Sequence, residues 1–224
     1  MSHPTHSTEP FRFLALGDSY TIGEGVATDE RWPAQLARRL RAHGIAFDDP
    51  QIIAKTGWST DELADAIDAA EFDAPYALVT LLIGVNNQYR GRDLANYRDE
   101  FSALLARAVA FAGGLTDRVV VVSIPDWGVT RFAREQDRDL QHVAAEIDAF
   151  NAAARAIADA QGIAFVDVTA ASRTFGDATH ALVDDGLHPS AAQYALWTDA
   201  VFDVVVGLKL LRSIKTKIRS EPPL

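Results

Sequence analysis

The chain has 224 residues and a mass of 24.3 kDa, enough for one domain with a sizeable core, and 48% of it is hydrophobic, as a globular protein requires. A formal net charge of -10 and a sequence pI of about 5.0 argue against a nucleic-acid surface, which needs clustered Lys and Arg. The chain has no cysteine, which excludes disulfides, thiolate metal sites and cysteine nucleophiles together.

Residues 1–10 are polar, contain two prolines and read as a flexible tail, so that His3 and His6 are incidental rather than a metal clamp. No basic stretch followed by an apolar core marks a secretory signal, and no apolar run approaches the roughly 20 residues that span a bilayer. A cytoplasmic protein is therefore expected. Phe11–Leu16 reads as a first strand ending at Gly17, and Trp32–His43 as an amphipathic helix with Pro33 in its first turn. Gln51–Lys55 is a second strand. Ser59 or Thr60 caps a helix running to about Glu71, with Glu62 three residues after Ser59. A nearly continuous apolar strand follows at Tyr76–Ile83, then a helix over roughly Asp93–Ala112. The valine-rich strand Arg118–Ile124 is closed by Pro125, and a long helix covers about Arg138–Gln161. Ile163–Val168 is the fifth strand and Ser190–Leu211 the last helix.

Strands alternating with helices require right-handed crossovers and a parallel sheet covered on both faces. The expected fold is a three-layer α/β/α sandwich with a five-stranded parallel sheet, flavodoxin-like in its winding. It occupies residues 11–212, with a second tail at 213–224. Long irregular stretches follow strand one (Gly17–Glu30), strand four (Pro125–Asp137) and strand five (Thr169–Pro189). Ligands bind such sheets outside the carboxyl ends of the strands, where these stretches begin.

Four short fragments lie there. Gly17-Asp18-Ser19-Tyr20 ends strand one, and a glycine beside a serine at a strand-to-helix bend exposes the hydroxyl. Alone, the tripeptide is an ordinary turn or cap. Asp185-Gly186-Leu187-His188 precedes the last helix; an aspartate three residues before a histidine can accept its Nδ1–H and leave Nε2 to take a proton. The bland reading is that Asp184 and Asp185 cap that helix. Gly57, after strand two, can present a backbone N–H, and Asn86, after strand three, a side-chain amide. Together they supply a nucleophile, a base, its orienting acid and two oxyanion donors, the set that acyl transfer needs.

Taken in chain order, Gly17-Asp18-Ser19-Tyr20, Gly57, Gly84-Val85-Asn86 and Asp185-Gly186-Leu187-His188 resemble the four blocks of the SGNH/GDSL hydrolases, over about Phe11 to Leu211. The resemblance implies a flavodoxin-like sandwich and cofactor-free hydrolysis of a small-molecule ester or thioester. Ser19, Asp185 and His188 would be catalytic, and the Ser19 N–H, the Gly57 N–H and the Asn86 amide would form the oxyanion hole. One departure is visible: the third block often reads Gly-x-Asn-Asp, and here Asn87 replaces the acid.

Other readings explain less. Gly23-Glu24-Gly25-Val26-Ala27-Thr28 approaches a dinucleotide fingerprint but lacks its last glycine and sets an acid where pyrophosphate would lie. A metal-dependent hydrolase using His180, Asp184, Asp185 and His188 leaves Ser19, Gly57 and Asn86 without a role. A non-catalytic binding module on the same fold would need none of the catalytic types present. The basic, amphipathic stretch Lys209–Arg219 could lie on an anionic membrane, but a solvated end to the last helix accounts for it better, since termini are usually poorly tied down. Trp58, Tyr89, Trp127, Phe132 and Phe175 lie in loops that could line an acyl pocket or seal the core edge.

Overall fold

The computed structural model describes residues 9–178 and 180–208. Five parallel strands form one sheet in the order β2-β1-β3-β4-β5: β1 Phe13–Asp18, β2 Gln51–Lys55, β3 Leu78–Leu82, β4 Val119–Val122 and β5 Ala164–Val166. Every residue of β1, β3 and β4 is buried, whereas β2 and β5, at the edges, are mostly half-covered. That gradient explains why the central strands read as unbroken apolar runs: helices cover both of their faces.

Nine α-helices lie between and after the strands among the described residues. They are α1 Ser19–Ile22, α2 Trp32–Ala42, α3 Thr60–Ala69, α4 Val85–Tyr89 and α5 Leu94–Phe111, followed by α6 Arg131–Arg134, α7 Leu140–Ala160, α8 Thr169–Phe175 and α9 Ala191–Gly207. Right-handed crossovers put α2 on one face and α3, α5 and α7 on the other. The contacts agree: α2 packs on α9, while α5 packs on both α3 and α7. Trp32 and Trp197, both fully buried, fill the α2–α9 layer. The chain leaves β1 toward β2 at one edge, then crosses back to β3 on the other side of β1. The switch point of the winding therefore lies between the carboxyl ends of β1 and β3.

Several boundaries differ from those expected. β1 begins and ends two residues later than the apolar run, because Gly17 and Asp18 still pair with Ala54 and Lys55 of β2. The third strand loses Tyr76 and Ala77 at its start and Ile83 at its end. The last helix stops at Gly207, with Leu208 extended at ψ 146°, rather than continuing toward Leu211. Four short helices (α1, α4, α6 and α8) lie in stretches expected to be irregular or unassigned. The N-terminal tail up to residue 8, and the basic segment 209–219 with the tail after it, lie outside the described residues.

Candidate active site

At the end of β1 the chain passes from strand to helix without a linker, making Ser19 the first residue of α1. Only glycine fits at position 17. A Cβ there would stand 2.1 Å from Thr21 Oγ1 and 2.5 Å from the carbonyl oxygen of Leu82, so α1 could not fold back on the sheet. Asp18 caps the turn, its Oδ1 accepting the Tyr20 N–H at 3.0 Å, and Gly23 closes α1 in the left-handed region with its N–H on the Ser19 carbonyl. At the first position of α1, the Ser19 N–H has no partner within the helix. Asp18 is wholly buried and its Oδ2 has no hydrogen-bond partner. Burial pushes its carboxyl up to about 7, and the Tyr20 N–H only partly offsets this.

The loop after β2 carries Gly57 at φ +85°, a conformation that penalises any residue with a Cβ. Opposite it, β3 ends in Gly84 at φ +132°, packed so that a Cβ would meet the Tyr97 ring at 2.7 Å. This close approach starts α4 immediately and brings Asn86 beside the Gly57 loop. The Asn86 amide donates to the Trp58 carbonyl at 2.8 Å, which fixes the side chain and leaves its second N–H. Asn87 turns the other way and is fully buried. Its Oδ1 accepts the Thr60 N–H at 3.1 Å, and its Nδ2 donates to the Thr60 hydroxyl at 2.6 Å. That hydroxyl in turn donates to Glu100. The departure from the usual acid at position 87 thus has a local reason: with Glu100 taking the Thr60 proton, residue 87 must be a donor.

In the last loop, Asp185 Oδ2 lies 2.6 Å from His188 Nδ1, while Asp185 Oδ1 accepts the backbone N–H groups of Leu187 and His188 at 2.8 and 3.0 Å. Partial burial opposes ionisation of Asp185, but these three donors outweigh it and hold the carboxyl below its ordinary value. Asp184 is exposed. The His188 imidazole is buried and packs on Tyr20, ring centroids 5.4 Å apart. The loop is braced by Val183 N–H on the His188 carbonyl and by Phe132 N–H on the Gly186 carbonyl, both from the backbone.

Ser19, Gly57, Asn86 and His188 line one cavity of about 170 Å³, together with Tyr20, Thr56, Val85, Tyr89, Trp127, Phe132 and Leu187. The structure thereby brings together the four predicted fragments, at the switch point of the sheet. Asp185 stands behind His188. One wall is aromatic: Tyr89 meets Trp127 edge-on at 5.3 Å, and Trp127 meets Phe132 at 6.2 Å. Trp127 is locked, its Nε1 donating to Gln88 Oε1 at 2.8 Å, with Gln88 held in turn by Glu146. Of the loop aromatics singled out in the sequence, Tyr89, Trp127 and Phe132 line the cavity. Trp58 packs against the core, and Phe175 lies against His180. Gln88 and Asp18 escaped the sequence reading, the first because its partners are remote in the chain. Among the described residues, no group of three or more His, Asp or Glu is disposed to hold a metal ion. None of the described helices is long and apolar enough to cross a membrane.

Fold and site together define a flavodoxin-like α/β sandwich whose switch-point cavity is lined by a serine and by a histidine that pairs with an aspartate. Residues 15–196 match the GDSL-like lipase/acylhydrolase family, and the chain belongs to that family of ester and acyl hydrolases. Among solved structures it is similar to TesA, at 20% identity and a TM-score of 0.69, covering 88% of this chain and 99% of that one. It is also similar to a lipase/acylhydrolase from Enterococcus faecalis, at 18% identity and a TM-score of 0.68, covering 88% and 96% of the two chains. An acetyl xylan esterase variant from Geobacillus stearothermophilus follows at 20% identity and a TM-score of 0.62, with 87% and 94% covered. No curated protein sequence matches the chain.

Proposed function

We propose that the protein is a serine hydrolase that cleaves carboxylic ester or thioester bonds through an acyl-enzyme intermediate, without a cofactor. The observation that carries this reading is the 2.6 Å pairing of Asp185 with His188 Nδ1, beside a cavity that Ser19, Gly57 and Asn86 also line. Asp185 keeps the proton on Nδ1, so Nε2 is free to take the Ser19 hydroxyl proton as Oγ attacks the substrate carbonyl. The resulting oxyanion is met by the Ser19 and Gly57 N–H groups and the second N–H of Asn86. Collapse expels the leaving group, an alcohol or thiol that takes the proton from His188. A water molecule then loses a proton to Nε2 and attacks the acyl-enzyme, releasing the acid and restoring Ser19.

The apolar part of the cavity lining is formed by Val85, Tyr89, Trp127, Phe132 and Leu187, and suits an uncharged acyl or aryl group. An apolar cavity of about 150 Å³ is filled by a benzene-sized guest. A short acyl or aryl group therefore fits within the cleft, and a longer chain would extend through its open side. The decisive test is Ser19→Ala, assayed on p-nitrophenyl esters of rising chain length, with acyl-CoA and an acetylated sugar alongside. Turnover should vanish with the thermal midpoint retained, and a fluorophosphonate probe should label only the wild type. Undiminished turnover in Ser19→Ala would overturn the mechanism.

A further inference from the structure

The loop that carries Gly57 is gripped at three consecutive residues, and the grip on Gly57 itself comes from a side chain outside the catalytic set. Thr56 donates its hydroxyl to Glu24, just beyond α1. The Trp58 carbonyl accepts from Asn86, as described above. Between them, the Gly57 carbonyl accepts from Arg90 Nη2 at 2.6 Å. Arg90 caps the C-terminus of α4, one turn beyond Asn86, and its backbone N–H bonds to the Asn86 carbonyl at 3.1 Å. Its second guanidinium nitrogen, Nη1, reaches Glu62 Oε2 at 3.0 Å and Ser59 Oγ at 3.2 Å. The planar fork thus spans the loop from Gly57 to the first turn of α3.

We infer that Arg90 is a positioning residue of the oxyanion hole: by fixing the Gly57 carbonyl against α4, it restrains the torsions of the glycine that separate this carbonyl from the Gly57 N–H, and so limits how that N–H can turn relative to the Asn86 amide. The physical need is specific to glycine. At φ +85° and without a Cβ, position 57 has little of its own to hold it, because even an added Cβ would touch nothing but Arg90, at 3.9 Å. Backbone freedom there is removed by the carbonyl contacts. A stability role alone explains less. The Arg90 side chain keeps 38% of its surface exposed and Glu62 keeps 41%, and ion pairs at such exposure contribute little to folding. This inference rests on the oxyanion assignment proposed above.

The test compares Arg90→Met, Arg90→Lys, Asn86→Ala and Ser19→Ala, using p-nitrophenyl butyrate turnover, inhibition by a short alkylboronic acid and thermal melting. Loss of the Gly57 clamp should lower kcat by about 10-fold and weaken the boronate, a tetrahedral adduct on Ser19, by the same factor with KM nearly unchanged. Arg90→Lys keeps the charge and its pairing with Glu62, but one ammonium cannot serve Gly57 and Glu62 as a fork does. It should fall in kcat with little change in melting, which keeps the test valid should Arg90→Met fold poorly. If both Arg90 variants lose only thermal stability while kcat and boronate affinity hold, the positioning role is overturned. If Asn86→Ala and Ser19→Ala also turn over at the wild-type rate, it is the site reading itself that falls.

Discussion

Asp185 holds His188 twice, through the imidazole Nδ1 at 2.6 Å and through the backbone N–H of the same residue at 3.0 Å. The two carboxylate oxygens divide the work, so the ring's orientation and the loop's shape depend on one side chain. Asp184, exposed like Asp185, is not the partner of the imidazole. Asp185→Asn should lower kcat by up to about 10⁴, the loss seen when a triad aspartate becomes an amide and the wrong tautomer is favoured. Asp184→Asn should stay near wild type. Steady-state kinetics on one ester settles the matter, and a reversed order would assign the orienting role to the neighbour.

Asn86→Ala removes a donor that is needed most as charge develops on the substrate oxygen. The expected loss in kcat is about 10²–10³ with KM little changed. The same change frees the Trp58 carbonyl, so stability should fall by about 1 kcal/mol. A rise in KM alone would mean that the amide binds the ground state.

Restoring the acid at position 87 should harm this protein. Asn87→Asp would set a buried carboxylate against the Thr60 oxygen, whose proton already goes to Glu100. Stability should drop by about 1–3 kcal/mol, the cost of a buried polar group without its partner, and by more as pH rises and the new acid ionises. Chemical denaturation at two pH values measures this; an unchanged midpoint would show that Glu100 yields its bond.

Asp18 should make the fold sensitive to pH. Its carboxyl, raised to about 7 by burial, binds a proton more tightly in the folded chain than in the unfolded one. Its contribution is therefore fully present below pH 4 and lost as pH rises through 7. Asp18→Asn should remove that dependence and narrow the stability difference between pH 4 and pH 8, by up to about 4 kcal/mol. Parallel pH profiles of the two thermal midpoints would contradict the assignment.

Phe132 is half-buried and forms the aromatic wall with Trp127 and Tyr89. Phe132→Ala should lengthen the cavity and move the preferred p-nitrophenyl ester toward longer acyl chains, with Ser19 labelling by a fluorophosphonate retained. An unchanged chain-length profile would place the acyl group elsewhere.

All five strands and the five long helices (α2, α3, α5, α7 and α9) were legible in the sequence, because burial on both faces writes strands as apolar runs and burial on one face writes helices as a repeat. The four motif fragments were legible for a related reason: each is set by a backbone need, such as the glycine at 17 that no Cβ can replace. The short helices were not. With four to seven residues, α1, α4, α6 and α8 are too brief to show a period, and they form through caps and tertiary contact rather than propensity. Asp18 accepting from Tyr20 and Thr130 accepting from Ala133 are such caps. The three-residue spacing already favours Asp185 over Asp184, but only the folded chain could join Arg90 to Gly57 across 33 positions or give Asn87 its donor role, since each depends on which way a side chain points once distant segments meet. Local sequence determines which residues stand at the ends of the strands; packing between layers decides which of them touch.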